Sequence, residues 1–155
     1  MTVKVVALNR KAYHDYHVLD TLEVGIALTG TEIKSIRAGT VNLREAYARI
    51  EGGDVWLFNA HIARYESGNR FNHEPMRSRR LLLHRKEIRE LDRRMREKGL
   101  TLVPLKLYFK DHLAKLELGL VRGKKLYDKR EAQAEREAEI EMGRAVRREV
   151  LSVHR

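Results

Sequence analysis

Two periodicities alternate along this chain, and the points where one replaces the other mark its elements. From Val18 onward Leu22, Val24, Ile26 and Leu28 are apolar while Thr21, Glu23 and Thr29 are polar, the period of two that sets one face of a β-strand against a core. Asp20 breaks that alternation. At Thr29 the pattern changes. Glu32 follows three residues later, the spacing of a capping box. Ile33 and Ile36 then share one face, Lys34 and Arg37 another, and Gly39 supplies the left-handed residue that ends many helices. This predicts a two-turn helix with a basic outer face.

Further on, Ala46 to Ile50 and Val55 to Ile62 flank Gly52-Gly53-Asp54, residue types that supply positive φ, and predict a β-hairpin. Trp56 and Phe58 point to one face of it. Because Val55 and Leu57 make the other face apolar too, Trp56 reads as a core or barrel-rim residue in preference to a base-stacking platform. Ser67 to Ser78 is a loop marked by Gly68, Asn69, Asn72 and Pro75. Leu81-Leu82-Leu83 reads as a short buried strand or the start of a helix, and Ile88, Leu91 and Met95 form a helical stripe that Gly99 closes. Leu102 to Phe109 and Leu113 to Leu120 make a second hairpin through Lys110-Asp111-His112. Five or six antiparallel strands with two short inserted helices suit a small Greek-key barrel better than a parallel α/β sheet.

The two ends of the chain are less regular. Val3 to Leu8 is an apolar lead-in. Asn9-Arg10-Lys11-Ala12-Tyr13-His14-Asp15-Tyr16 is either an RNA-facing turn or a capped helical turn whose tyrosines pack on the barrel. From Arg122 the composition shifts to Glu, Arg and Ala with only scattered large apolar residues, Ile140, Met142, Val146, Val150 and Leu151. Such a segment cannot bury enough surface to offset its ordering entropy. It reads as a tail that is disordered when free and helical when bound.

Charge narrows the function. Lys and Arg number 32 against 22 Asp and Glu, a net charge of +10 with a pI near 10.0, which points to a polyanionic partner, nucleic acid first. Residues 69–98 alone hold eleven cations against five acids. Arg70, Arg77, Arg79 and Arg80 are the candidates for phosphates, whereas Arg85, Arg89, Arg93 and Arg96 read as a solvated helix face. No cysteine is present, so disulfides, thiolate nucleophiles and cysteine-based zinc sites are excluded. The seven histidines show no H-E-x-x-H spacing, and phosphate-loop, nucleophile-elbow and dinucleotide fingerprints are absent. No metal, cofactor or enzymatic activity is expected. No run approaches the ~20 apolar residues that cross a bilayer, so no membrane partner is expected and the location read from the sequence is cytoplasmic.

Gly30-Thr31-Glu32-Ile33-Lys34-Ser35 with Arg37-Ala38-Gly39 resembles the signature of the bacterial SsrA-binding protein family, also called small protein B. Asn9-Arg10-Lys11-Ala12, Tyr16, Arg79 through Leu83, Gly123-Lys124-Lys125 and Asp128-Lys129-Arg130 resemble further blocks of that family in the same order. The resemblance implies a mainly β fold: a small antiparallel OB-like barrel with two or three short α-helices over residues 1–121, then a charged tail over 122–155. It also implies a function. Members bind the tRNA-like domain of transfer-messenger RNA and deliver it to ribosomes stalled on truncated messages, in trans-translation. The partners the resemblance implies are that RNA and the ribosome, with alanyl-tRNA synthetase and elongation factor Tu reached, if at all, through the RNA.

The family's RNA-binding positions fall here on Glu32, Leu82 and His84, where the family often has Asn. An imidazole still donates or accepts one hydrogen bond but cannot reproduce an amide's paired donor and acceptor. Lys34, Arg37, Arg79, Arg80, Asn9 and Lys11 complete the expected RNA-binding set. A carboxylate at Glu32 would accept from a base or a 2′-hydroxyl, or it would only cap its helix. In the tail, the resemblance places Gly123, Lys124, Lys125, Tyr127, Asp128, Lys129 and Arg130 in the decoding centre of the small ribosomal subunit and the empty message channel. A ribosomal or rRNA-binding structural protein is the alternative that shares the basic charge, barrel and tail, with a nuclease more distant.

Overall fold

The protein is described by a computed structural model covering residues 2–66, 71–97 and 99–124. Among the described residues three helices and nine strands follow in the order β1 (Val3–Leu8), α1 (Arg10–Asp15), β2 (Tyr16–Ile26), α2 (Gly30–Arg37), β3 (Val41–Asn42), β4 (Tyr47–Glu51), β5 (Asp54–Phe58), β6 (His61–Ile62), β7 (Arg79–Leu82), α3 (Arg85–Met95), β8 (Leu100–Lys110) and β9 (Leu113–Gly123). All pairings are antiparallel. The order β8-β4-β5-β7-β2-β9 closes on itself through β8–β9, giving a ring of six strands. β1 adds to the far half of β8, and β3 with β6 forms a separate two-stranded ribbon. The expected antiparallel, mainly β barrel is present.

Each long hairpin is shaped by a positive-φ residue. Gly52 and Gly53, at φ 58° and 82°, turn β4 into β5, and Asp111, at φ 56°, turns β8 into β9. Bulges in β2 and β8 reverse the side-chain alternation, because an extra residue in one strand flips everything after it to the opposite face. In β2 the register with β9 slips between Val18 and Asp20. Beyond it Val24 and Ile26 enter the core, and Asp20 ends as a barrel-rim residue 2.6 Å from Arg94. In β8 the slip lies between Pro104 and Lys106. Leu102 therefore faces the barrel interior before it and Leu107 and Phe109 after it, while Val103 and Leu105 face outward.

Those outward residues form a second apolar cluster with Val121, covered by Ala12 of α1. Gly119 makes this possible, since a Cβ there would meet Leu105 Cδ1 at 2.8 Å. Asn9 caps α1 through Oδ1, which accepts from the Ala12 N–H at 3.1 Å, while its amide donates to Leu43 O at 3.1 Å and Pro104 O at 2.8 Å. The region is therefore a capped helical turn, and the RNA-facing alternative for Asn9 is corrected: its side chain is buried and fully engaged. Tyr16 packs on the barrel as expected, while Tyr13 is exposed.

The two open ends of the barrel are plugged by helices. α2 inserts Ile36, wholly buried, at the end where β2 finishes and β7 begins. α3 lays Leu91 over the other end, beside Leu102, Leu118 and Leu120. Ile88 and Met95 pack on the same core and Gly99 adopts φ 83° after the helix, as the stripe predicts.

Candidate nucleic-acid interface

The capping box at the start of α2 is formed: Thr29 Oγ1 accepts from the Glu32 N–H at 3.4 Å, and Glu32 Oε1 accepts from the Thr29 N–H at 2.8 Å. The carboxylate does more than cap. Its Oε1 also accepts from Arg77 Nη2 at 2.6 Å and its Oε2 from Arg79 Nε. Glu32 and Arg79 are both 0% exposed. Arg79 goes on to donate to Ala60 O at 2.8 Å and Pro75 O at 3.1 Å, and Arg77 to Ala27 O at 3.3 Å. One carboxylate thus ties α2 to two arginines whose other bonds hold the chain on either side. Nearby, His73 Nε2 donates to Ile62 O at 2.8 Å, which leaves Nδ1 to accept from the Thr31 hydroxyl at 2.9 Å.

Burial works against the charged form of Glu32. The hydrogen bonds from Arg77, Thr29 and Arg79, together with the Arg79 charge, outweigh it and hold the carboxyl below its ordinary range. Burial likewise lowers the Arg79 guanidinium, and its partner Glu32 opposes that shift. In this structure the Arg79 guanidinium is buried and fully engaged, and of the two uses left open for Glu32 the cap is formed while its oxygens are held by arginines. Arg79 is internal because β7 alternates, Arg79 and Leu81 turning inward and Arg80 and Leu82 outward, and Glu32 meets it from the buried face of α2. Of the two readings of Leu81-Leu82-Leu83 the strand is present, with Leu81 buried and Leu82 45% exposed on its outer face.

Outward-facing residues of β7 lead directly to α3. Arg80, Leu82 and the exposed His84 follow one another to the helix N-terminus, where the His84 N–H donates to Glu87 at 2.9 Å. Between α3 and the β4–β5 turn runs a groove of about 990 Å³ whose floor includes Ile50, Leu83 and Ile88 and whose cations are Arg80, Arg85 and Arg89. Among the described residues none of these three arginines has a carboxylate partner. They are uncommitted cations, unlike Arg94, held by Asp20 at 2.6 Å, and Arg122, held by Glu97 at 2.7 Å. Asp54 and Asp92 also line the groove.

Other expected residues lie elsewhere. Lys34 and Arg37 are exposed on α2 at the opposite end of the barrel, Lys34 standing 5.5 Å above the Tyr65 ring and Arg37 5.8 Å above that of Phe109. Lys11 is paired with Glu45 at 2.5 Å. Gly123 ends β9, two residues beyond the compositional break, and Lys124 Nζ donates to Tyr13 O at 3.2 Å. Arg70, Lys125, Tyr127, Asp128, Lys129 and Arg130 lie outside the described residues. No cluster of three potential metal ligands occurs among the described residues, and no described helix is long and apolar enough to cross a membrane.

The profile of the SmpB protein family matches residues 6–148. The chain belongs to the SmpB family. It is 64% identical over 144 residues to the SsrA-binding protein of Carboxydothermus hydrogenoformans, covering 93% of this chain and 97% of that one. Identity to the SsrA-binding protein of Moorella thermoacetica is 60% over 146 residues, 94% of each chain. A solved chain described as "tmRNA-SmpB: a journey to the center of the bacterial ribosome" is similar with a TM-score of 0.65 and 53% identity, covering 76% of this chain and 83% of that one.

Within this SmpB-family barrel, the sequence reading passed over the α3 arginines because acids at Glu87, Glu90, Asp92 and Glu97 seemed to neutralise them. A helical wheel would have separated Arg85 and Arg89, four apart on one stripe, from Glu87, Glu90 and Glu97, and left only Asp92 beside them.

Proposed function

We propose that this chain binds the tRNA-like domain of transfer-messenger RNA and delivers it to stalled ribosomes for trans-translation, acting in the cytoplasm as a binding factor without catalysis of its own. Membership of the SmpB family, high identity to SsrA-binding proteins and likeness to a chain described with tmRNA at the ribosome support that reading. The observation that carries it on this molecule is the run of Arg80, Leu82 and His84 beside a groove whose three arginines have no carboxylate partner among the described residues. Unpaired cations bind phosphates and release counterions, while an exposed leucine and imidazole meet the splayed bases that RNA readers select. Lys34 and Arg37 add cations at the other end of the barrel.

Glu32, Arg79 and Asn9 serve in this scheme as positioning residues. Glu32 and Arg79 set the start of β7 against α2, and Asn9 sets α1 and Lys11 against β8. Beyond Lys124, the segment with Lys125, Tyr127, Asp128, Lys129 and Arg130 engages rRNA at the decoding centre and message channel, with the cations on phosphates and Tyr127 stacked on a base. The experiment is to recover the tagged full chain from cells, wash it in moderate salt and identify the RNA retained. Transfer-messenger RNA enriched over rRNA and tRNA is expected; rRNA in proportion to whole ribosomes would favour a ribosomal structural protein instead.

A further inference from the structure

The outer face of β4, β5 and β7 carries an arrangement of which the RNA-binding set above includes only Arg80. Val55 and Leu57 are buried, so Trp56 and Phe58 point outward. The register then aligns a row across three strands: Arg49 of β4 is directly opposite Trp56 of β5, which is directly opposite Arg80 of β7. A second row places Tyr47 opposite Phe58, their rings 5.4 Å apart at 26°, with the Arg49 guanidinium 5.0 Å over the Phe58 ring. Directly opposite side chains in a sheet lie about 5 Å apart, so the indole sits between two cationic side chains.

The two rows are in different states. Phe58 is committed on both sides, to Tyr47 and to Arg49. Trp56, half-buried, has no ring contact or hydrogen bond among the described residues. Arg80 has no carboxylate partner there either, whereas Arg49 is paired with Glu51. An amphipathic ring whose indole N–H and π-face are both uncommitted, beside an unpaired guanidinium, suits a ligand that is flat and anionic at once. An unpaired nucleotide has that chemistry: the base stacks on the indole and its phosphate meets Arg80. A duplex does not, because its bases are already stacked and its narrow major groove shuts out side chains.

We propose that Trp56, between Arg49 and Arg80 on the barrel exterior, is a stacking site for an unpaired RNA base, with Arg80 on the adjoining phosphate and the Tyr47–Phe58 pair bracing Arg49. The proposal builds on the RNA-binding reading and extends it toward the β4–β5 edge, since Leu82 stands two residues from Arg80 on the same face of β7. It assigns Trp56 a role that its apolar neighbours had argued against.

Trp56 is the sole tryptophan of the chain, so its emission reports on the site directly. The full-length protein is titrated with a 12-nucleotide oligoadenylate, a blunt RNA duplex of the same length, and transcribed transfer-messenger RNA, with binding followed by anisotropy of labelled RNA and quenching by tryptophan fluorescence. Single-strand binding should quench the emission, and Trp56→Leu should weaken oligoadenylate binding about five- to a hundredfold. Trp56→Phe should keep most of the affinity, and duplex binding should change less than twofold in either variant. Emission unchanged at saturating oligoadenylate would overturn the stacking site even if a variant misfolds. Equal quenching by the duplex would replace it with phosphate contact alone. With transfer-messenger RNA binding intact, such results remove only this site; no binding of transfer-messenger RNA by the parent removes both readings.

Discussion

Replacing Glu32 by Ala removes the one carboxylate that faces two arginines, and the structure fixes what is left behind. Arg79 would keep its carbonyl partners Ala60 and Pro75 but remain wholly buried with no counter-charge. Removing one partner of a buried pair costs about 3–5 kcal/mol, because the surviving charge is desolvated without compensation. For a domain of this size the melting temperature should fall by about 10–20 °C. The assay is thermal and urea unfolding of the parent, Glu32→Ala, Arg79→Met, and Glu32→Leu combined with Arg79→Met. The double variant should regain at least half of the single-variant loss, since neither charge is then buried. A loss below about 1 kcal/mol for Glu32→Ala would refute the argument. So would a Glu32→Gln variant with unchanged melting but weakened RNA affinity, which would require the carboxylate to touch the RNA.

The same cluster fixes an acid limit. Because the folded-state pKa of Glu32 lies below its unfolded value, its contribution is complete above about pH 4.5 and is lost as pH falls through the depressed folded value. Asp20, held by Arg94, and Glu23, held by the Tyr108 hydroxyl, shift in the same direction. Urea midpoints between pH 3 and 6 should therefore fall toward acid, less steeply in Glu32→Gln.

Three further outcomes follow from single contacts. Asn9→Ala removes the α1 cap and the amide that donates to the Pro104 and Leu43 carbonyls, the latter keeping the Ala46 N–H, so it should cost about 1–3 kcal/mol in urea unfolding, with RNA affinity of the folded protein changed less. Gly119→Ala drives a methyl to within 2.8 Å of Leu105 Cδ1 and should cost about 1–3 kcal/mol. A chain ended after Lys124 keeps all of β9 and should melt like the barrel and retain most RNA affinity, while peptide tagging on stalled ribosomes is lost. Parallel loss of both would make the tail part of the RNA-binding surface.

Local signals told the sequence reading where elements begin and turn. The capping box at Thr29 and Glu32, the glycine pair at 52 and 53, and the stripe of Ile88, Leu91 and Met95 each operate within a few residues and were legible. Asp20, which broke an alternating pattern, marks a bulge beside Leu19 that a strict period of two cannot represent. Long-range pairing was not legible. Glu32 and Arg79 are 47 residues apart, and nothing local in Arg79-Arg80-Leu81-Leu82 says which arginine turns inward. A charged residue was read as a surface residue, and here the barrel interior supplied its partner. Trp56 shows the converse, an aromatic assigned to the core or the barrel rim because both its neighbours were apolar, when it is those neighbours, Val55 and Leu57, that turn into the core and leave it half-buried on the outer face.

The central claim is that the barrel reads transfer-messenger RNA through the face of Arg80, Leu82 and His84, and a salt titration tests it most directly. Equilibrium binding of the purified full chain is measured from low to moderate salt, against transcribed transfer-messenger RNA and a random-sequence RNA of equal length, for the parent, Arg80→Ala and Leu82→Ala. Affinity should fall steeply with salt while the preference for transfer-messenger RNA persists at moderate salt. Arg80→Ala should lower the log–log salt slope by about one, and Leu82→Ala should reduce the preference and leave the slope unchanged. Equal affinity for the two RNAs at every salt concentration, or both variants binding as the parent does, would contradict the account.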